Sequence, residues 1–247
     1  MMKILFDETH DEAVSITDTE ESGFFNLAEE LKKLGYEARR TERSLGDELE
    51  TADMLVIAFP QREFKPEESE MIKNFITKGG GLFLIGEWAN LHGVSECLNS
   101  ISLQLGVKFR NDRLTDFDDR YARDDEIMKG VLGVGDMPYL VKLVDFEDHP
   151  ITKDVKSIGY LAGCTLDTDK ESALVWADET SFADKRIDEF QQISEKSGPF
   201  IVAAYKNVGK GRMVCIGDSS AFSNRFLGSE NNKRFRIQIF QWLASDR

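Results

Sequence analysis

Apolar residues along this chain switch repeatedly between short continuous runs and helical spacing, the alternation expected of an α/β protein. Lys3 to Phe6 is an apolar run that exits into Asp7-Glu8-Thr9-His10, and it predicts a first strand with a polar exit. Phe24, Leu27, Ala28, Leu31 and Leu34 then recur at helical spacing, and Gly35 follows as a left-handed stop. Tyr36 to Thr41 and Asp53 to Phe59 predict a second and a third strand, the latter closed by Pro60. Pro66-Glu67-Glu68 starts a helix that turns Met71, Ile72, Phe75 and Ile76 to one side, and Lys78 and a glycine triplet end it. Leu82 to Ile85 is wholly apolar and bounded by glycines, as a central parallel strand covered on both faces should be. Gly86 then releases a turn carrying Glu87, Trp88 and Asn90.

Later segments are less regular. Val94 to Leu105 predicts a helix with Leu98, Ile101 and Leu105 buried, and Val107 to Phe109 an extended piece. The acid-rich stretch 111 to 126 predicts a surface excursion. Strands are expected over Tyr139 to Phe146, Ala173 to Trp176, Pro199 to Tyr205 and Arg212 to Ile216, the last two forming an antiparallel hairpin. A polar insertion, 178 to 198, lies between them with a short helix through Ile187, Phe190 and Ile193. Phe235, Ile239, Trp242 and Leu243 mark a final amphipathic helix. The expectation is a single three-layer α/β domain over residues 1–247. It has a mostly parallel, flavodoxin-like central sheet, an antiparallel C-terminal extension, and polar insertions near 111–138 and 178–198.

Charge and composition narrow the partners. A net charge of −14 repels nucleic-acid phosphate and anionic lipid, and no run approaches the roughly 18 apolar residues needed to span a bilayer. Three cysteines without paired spacing make neither a disulfide framework nor a zinc finger. The start lacks the apolar stretch of a signal peptide, so a cytoplasmic protein is expected, with no cofactor. Gly130-x-x-Gly133-x-Gly135 follows no strand and opens no helix, so it reads as a turn and not a nucleotide loop.

In open α/β sheets, chemistry collects at the carboxyl ends of the strands. That rule gathers Asp7, Glu8 and His10, then Glu87, Trp88 and Asn90, then Asp218, Ser219 and Asn224. Asp7, His10, Glu87 and Asp218 could ligate a metal for hydrolysis, but no fixed spacing joins them. Cys164 is the thiol for a nucleophilic reading, with His149 its partner only if the fold brings them together. Recognition of a small polar ligand or sugar would use Trp88 as an apolar platform and the neighbouring polar groups as hydrogen-bonding partners. The competing structural use of Trp88 is core packing beside Phe59 or Phe64.

Several of these segments together resemble a class I glutamine amidotransferase-like, flavodoxin-type domain. They are Lys-Ile-Leu-Phe-Asp-Glu at the start, Leu-Lys-Lys-Leu-Gly-Tyr, Ala-Asp-Met-Leu-Val-Ile and Phe-Ile-Thr-Lys-Gly-Gly-Gly-Leu-Phe-Leu-Ile-Gly. Asp-His-Pro-Ile-Thr-Lys, Gly-Lys-Gly-Arg-Met-Val-Cys-Ile-Gly-Asp-Ser-Ser and a final Gln-Trp-Leu complete them. The pattern is most similar to noncatalytic or uncharacterised branches. These include the trehalose-utilisation type and the domain shared by gliding-motility and intraflagellar-transport proteins, for which carbohydrate binding has been proposed. Catalytic members carry an elbow Cys where this chain has Glu87 or Trp88, and no later His-x-Glu is present. The resemblance therefore implies a binding or regulatory domain whose ligand is a small molecule or sugar, with a protein partner or a second copy of the chain as further candidates. A hydrolase or amidotransferase-like enzyme, using a carboxylate/metal or Cys164-centred site, is the alternative.

Overall fold

The computed structural model describes residues 1–118, 138–186, 192–228 and 230–245. The chain runs β1 (Lys3–Phe6), α1 (Phe25–Lys33), β2 (Glu37–Arg40), α2 (Leu45–Leu49), β3 (Met54–Ala58), α3 (Pro66–Thr77), β4 (Gly81–Ile85) and α4 (Val94–Ser102). Short strands follow: β5 (Lys108–Phe109), β6 (Asp112–Thr115), β7 (Leu140–Leu143), β8 (Asp145–Phe146), β9 (Ile158–Leu161) and β10 (Leu166–Asp167). The end of the chain supplies β11 (Ala173–Ala177), β12 (Phe182–Arg186), β13 (Gln192–Ser197), β14 (Phe200–Val208), β15 (Gly211–Ile216) and α5 (Glu230–Ala244).

The main sheet has the order β2-β1-β3-β4-β15-β14-β10-β5. Its first five strands are parallel, and β14, β10 and β5 continue it antiparallel, with β11 also pairing β14 and β8 pairing β11. This is the expected three-layer α/β fold. The strand order reverses between β1 and β3, so the loops leaving those two strands flank the topological switch point.

Continuous apolar runs explain the centre. Every residue of β3 and β4 is buried, because helices cover both faces. Each fully buried Leu, Ile or Phe side chain there stabilises by roughly 1.5–3 kcal/mol. On one face α5 lays Phe240 against Phe6 and Phe83, and Arg236 of α5 reaches Glu30 of α1. On the other, α3 packs between α2 and α4.

Three expectations need correction. The single strand over Tyr139 to Phe146 is two, β7 and β8, in different sheets. The described part of the acidic stretch is not a surface excursion. Residues 112–115 form β6, and Asp112 and Asp116 are buried because Asp112 accepts hydrogen bonds from Thr165 and Asp116 from Thr180 and Ser181. The short helix in the second insertion is instead the β12–β13 hairpin, which pairs with β6 and holds Ile193 in a strand. Ile187, Phe190 and the Gly130 to Gly135 motif lie outside the described residues.

Candidate functional site

At the switch point, β1 ends in a tight loop built around Asp7. Its Oδ1 accepts hydrogen bonds from Thr9 N (3.1 Å), Thr9 Oγ1 (2.8 Å) and Thr41 Oγ1 (3.3 Å). Oδ2 accepts from His10 Nδ1 at 2.7 Å, an arrangement that places the imidazole proton on Nδ1. The His10 ring stacks on Phe64 with centroids 3.7 Å apart, while its carbonyl accepts from Gln61 N and Arg62 N in the loop after β3. The two switch loops are thus fastened through His10. Asp7 and His10 are only 3% and 2% exposed.

Burial alone would raise the Asp7 carboxyl, but the hydrogen bond and charge of His10, with help from Thr9, hold it below the ordinary carboxylate range. Glu12 goes the other way. Burial, and then the negative charge of Asp7, push it up to about 9. Its carboxylate joins Asp7 and His10 in a set of three ligand atoms within 4.8 Å of one another. Glu68, at the start of α3, faces the far side of the ring, with Oε2 3.4 Å from His10 Nε2.

A second cluster forms where β4 and β15 end. Gly86 lies so close to Phe109 that an added Cβ would sit 2.7 Å from that ring, which explains the glycine. Glu87 follows, with Oε1 accepting from Trp88 N (3.0 Å) and Oε2 accepting from Ser219 Oγ (2.5 Å). Burial raises Glu87 to about 7, with the Ser219 and Trp88 hydrogen bonds working against it. Asp218 is fully buried, accepts from Leu161 N and Ser220 N at 2.8 Å each, and is held well above the usual range by burial and by Glu87.

The turn after Glu87 is sharply bent. Ala89, Asn90 and His92 have φ values of 49°, 53° and 53°, in the left-handed region that costs a non-glycine residue on the order of 1–2 kcal/mol. Asn90 supports it by accepting from Ser95 N and Glu96 N at the start of α4. Trp88 is half-buried, and the Arg113 guanidinium lies 5.8 Å from its ring and 5.6 Å from that of Tyr139.

The structure therefore divides the sequence-derived site. Asp7 and His10 form one cluster, and Glu87, Asp218 and Ser219 another. The β1 and β4 ends stand two strand spacings, about 10 Å, apart. The three acids and one histidine considered together as metal ligands, Asp7, His10, Glu87 and Asp218, do not converge as one set. Glu8 turns away to bind Ser15 Oγ and Ile16 N, with Arg40 3.5 Å from its other oxygen. Asn224 is used elsewhere: its Oδ1 caps α1 through Asn26 N, and its amide donates to the carbonyls of Asp18 and Glu20.

Cys97, Cys164 and Cys215 are all buried, and burial raises each thiol, Cys97 to about 11. His149 packs against Tyr205 and Trp242. A neutral buried thiol is a poor nucleophile. A groove of about 1850 Å³ runs between α2 and α3 and reaches Gly79, Gly80 and Lys210, at the opposite end of the sheet from these clusters. Sequence reasoning missed Glu12, Glu68, Arg113 and Tyr139. Only Glu68 carried a signal, as an acid in the first turn of a helix.

Residues 16–240 match the family described as "Domain of unknown function (DUF4350)". The chain belongs to this family. No curated protein matches it. Among solved structures, the DUF4350 chain is similar to the mmIFT52 N-terminal domain, with 18% identity, 99% of this chain and 98% of that one covered, and a TM-score of 0.74. It is also similar to Cytoplasmic Protein STM1381 from Salmonella typhimurium LT2 (15% identity, 98% and 99% covered, TM-score 0.61). A third similar structure is a ThuA-like protein from Bacteroides uniformis ATCC 8492 (14%, 99% and 92%, TM-score 0.55). At these identities the likeness establishes the fold. The intraflagellar-transport and trehalose-utilisation resemblances read from the motifs both reappear in it. No helix among the described residues is long and apolar enough to cross a membrane.

Proposed function

We propose that this DUF4350 chain is a noncatalytic binding or regulatory domain that recognises a small polar ligand, with carbohydrate the first class to test. The observation that carries the reading is the elbow after β4. Where the resembling amidotransferases hold a nucleophile, this chain holds Glu87, and both its carboxylate oxygens are occupied by Trp88 N and Ser219 Oγ. The strained turn beyond it presents a half-buried Trp88 beside Arg113 and Tyr139. An aromatic face flanked by hydrogen-bonding groups suits the apolar face and hydroxyls of a sugar. Glu87, Asp218 and Ser219 are the buried support of this turn, Trp88 and Asn90 are the contacting groups, and Asp7 and His10 hold the neighbouring switch-point loops.

In this reading the chain is one amidotransferase-like domain with polar insertions, working in the cytoplasm, and its acidic surface turns away nucleic acid and anionic membranes. A thermal-shift screen against mono- and disaccharides tests it. A ligand at 100 times its dissociation constant adds about 2.7 kcal/mol of stability, so a hit is expected to raise the unfolding temperature in the wild type and not in Trp88→Ala. A screen with no saturable shift for any sugar would count against carbohydrate.

A further inference from the structure

We infer that Asp7, His10 and Glu12 form a site for a divalent transition-metal cation of the Zn²⁺ class, held by one imidazole nitrogen and two carboxylate oxygens. This goes beyond the ligand reading above and concerns a different pair of loops.

The geometry supplies the donors already gathered. One atom from each of the three side chains lies within 4.8 Å of the others, and Asp7 and His10 are almost wholly removed from water. Two of the donors are also fixed in place. Three hydrogen bonds from Thr9 and Thr41 anchor Asp7, and the stack on Phe64 sets the plane of His10. Such rigid positioning is what a metal site requires of its supporting groups.

Two further observations point to a cation. Among the described residues, Glu12 Oε1 is buried and accepts no hydrogen bond, although its other oxygen accepts from His10 N. A cation would take that oxygen as a ligand and displace the proton that the carboxyl otherwise holds against Asp7. On the far side of the imidazole, Glu68 Oε2 faces Nε2. Metal-ligating histidines characteristically donate their second ring N–H to a carboxylate. With the cation on Nδ1, the ring proton moves to Nε2 and is donated to Glu68, so the surroundings accommodate both tautomers.

One nitrogen and two oxygens favour a borderline ion over Mg²⁺ or Ca²⁺, which take oxygen ligands, and over soft ions that want thiolate. Three protein ligands also leave a fourth position open. Glu12 is only partly buried and is the most exposed of the three ligands.

The test uses the full chain, stripped with a chelator and titrated with ZnCl₂ by calorimetry. Glu12→Gln keeps the shape of the side chain and removes its charge. His10→Asn removes the nitrogen ligand, and His92→Gln controls for the exposed histidine. Circular dichroism and thermal unfolding without metal establish that each variant is folded. One equivalent of Zn²⁺ is expected to bind the wild type and His92→Gln alike, at least about tenfold more weakly in Glu12→Gln, and undetectably in His10→Asn. In the wild type, Co²⁺ is expected to give visible d–d bands that folded Glu12→Gln lacks. Absence of saturable Zn²⁺ binding by the wild type, or wild-type affinity in folded Glu12→Gln, overturns the assignment.

Discussion

Ser219 Oγ donates a 2.5 Å hydrogen bond to Glu87 Oε2, tying the turn after β4 to the turn after β15 across 132 residues of sequence. The bond also buries a carboxyl group whose protonation depends on pH near neutrality.

Glu87 in the folded chain titrates at about 7, above its ordinary 4.5. Between those values the folded state keeps a proton on Glu87 that the unfolded chain has released, so the Glu87 contribution to stability falls as pH rises from about 4.5 to 7 and then levels. The share due to Glu87 is on the order of 3 kcal/mol. Glu87→Gln can keep both hydrogen bonds, its oxygen accepting from Trp88 N and its amide donating to Ser219. Urea unfolding from pH 5 to 8 is expected to show a flatter profile for Glu87→Gln and equal or greater stability above pH 7. Parallel profiles for the two proteins would mean that Glu87 is not the titrating group.

The thiols should be inert in the native state. Cys97, Cys164 and Cys215 are buried and held as neutral thiols. An aromatic disulfide reagent at pH 8 is expected to label all three in denaturant and none rapidly in native buffer. Rapid native labelling of Cys164 would revive a nucleophilic role for it.

Asn224 provides a contrast between support and site. It caps α1 from the far end of the chain, where Phe24 offers no side-chain cap. Asn224→Ala is expected to cost about 1–2 kcal/mol in chemical denaturation while leaving ligand recognition intact. A loss of ligand binding without loss of stability would place Asn224 in the site after all.

Arg236 is fully buried, and its Nε and Nη2 both donate to Glu30 Oε2, at 3.0 and 2.7 Å. Removing the carboxylate strands a buried cation, so Glu30→Ala is expected to cost about 3–5 kcal/mol. The double variant Glu30→Leu/Arg236→Met should be destabilised less, because neither charge is left alone. Simple additivity of the two single changes in urea unfolding would contradict this coupling.

The parallel half of the fold was legible because its strands are continuous apolar runs and its helices follow one-sided spacing with clear starts and stops. Pro66 and the glycines after Lys78 bound α3 as their chemistry predicts. Illegibility began where polar residues turn inward. Asp112 and Asp116 look solvated in a row of acids, yet they are buried because Thr165, Thr180 and Ser181, far along the chain, satisfy them. Glu12 was overlooked for the same reason: a loop acid at no helical or strand spacing acquires its setting only when the loop after β3 closes over His10. Glu8 and Asn224 were drawn into the site by proximity to strand ends, a rule that says nothing about which way a side chain points.

The most direct test of the binding reading is calorimetric titration of the best sugar from the thermal-shift screen into the wild type, Trp88→Ala and Asn224→Ala. One saturable site is expected in the wild type and in Asn224→Ala, with binding lost in Trp88→Ala while its fold persists. Unchanged affinity in Trp88→Ala, or no measurable binding by the wild type, would contradict a ligand site on the Glu87–Trp88 turn.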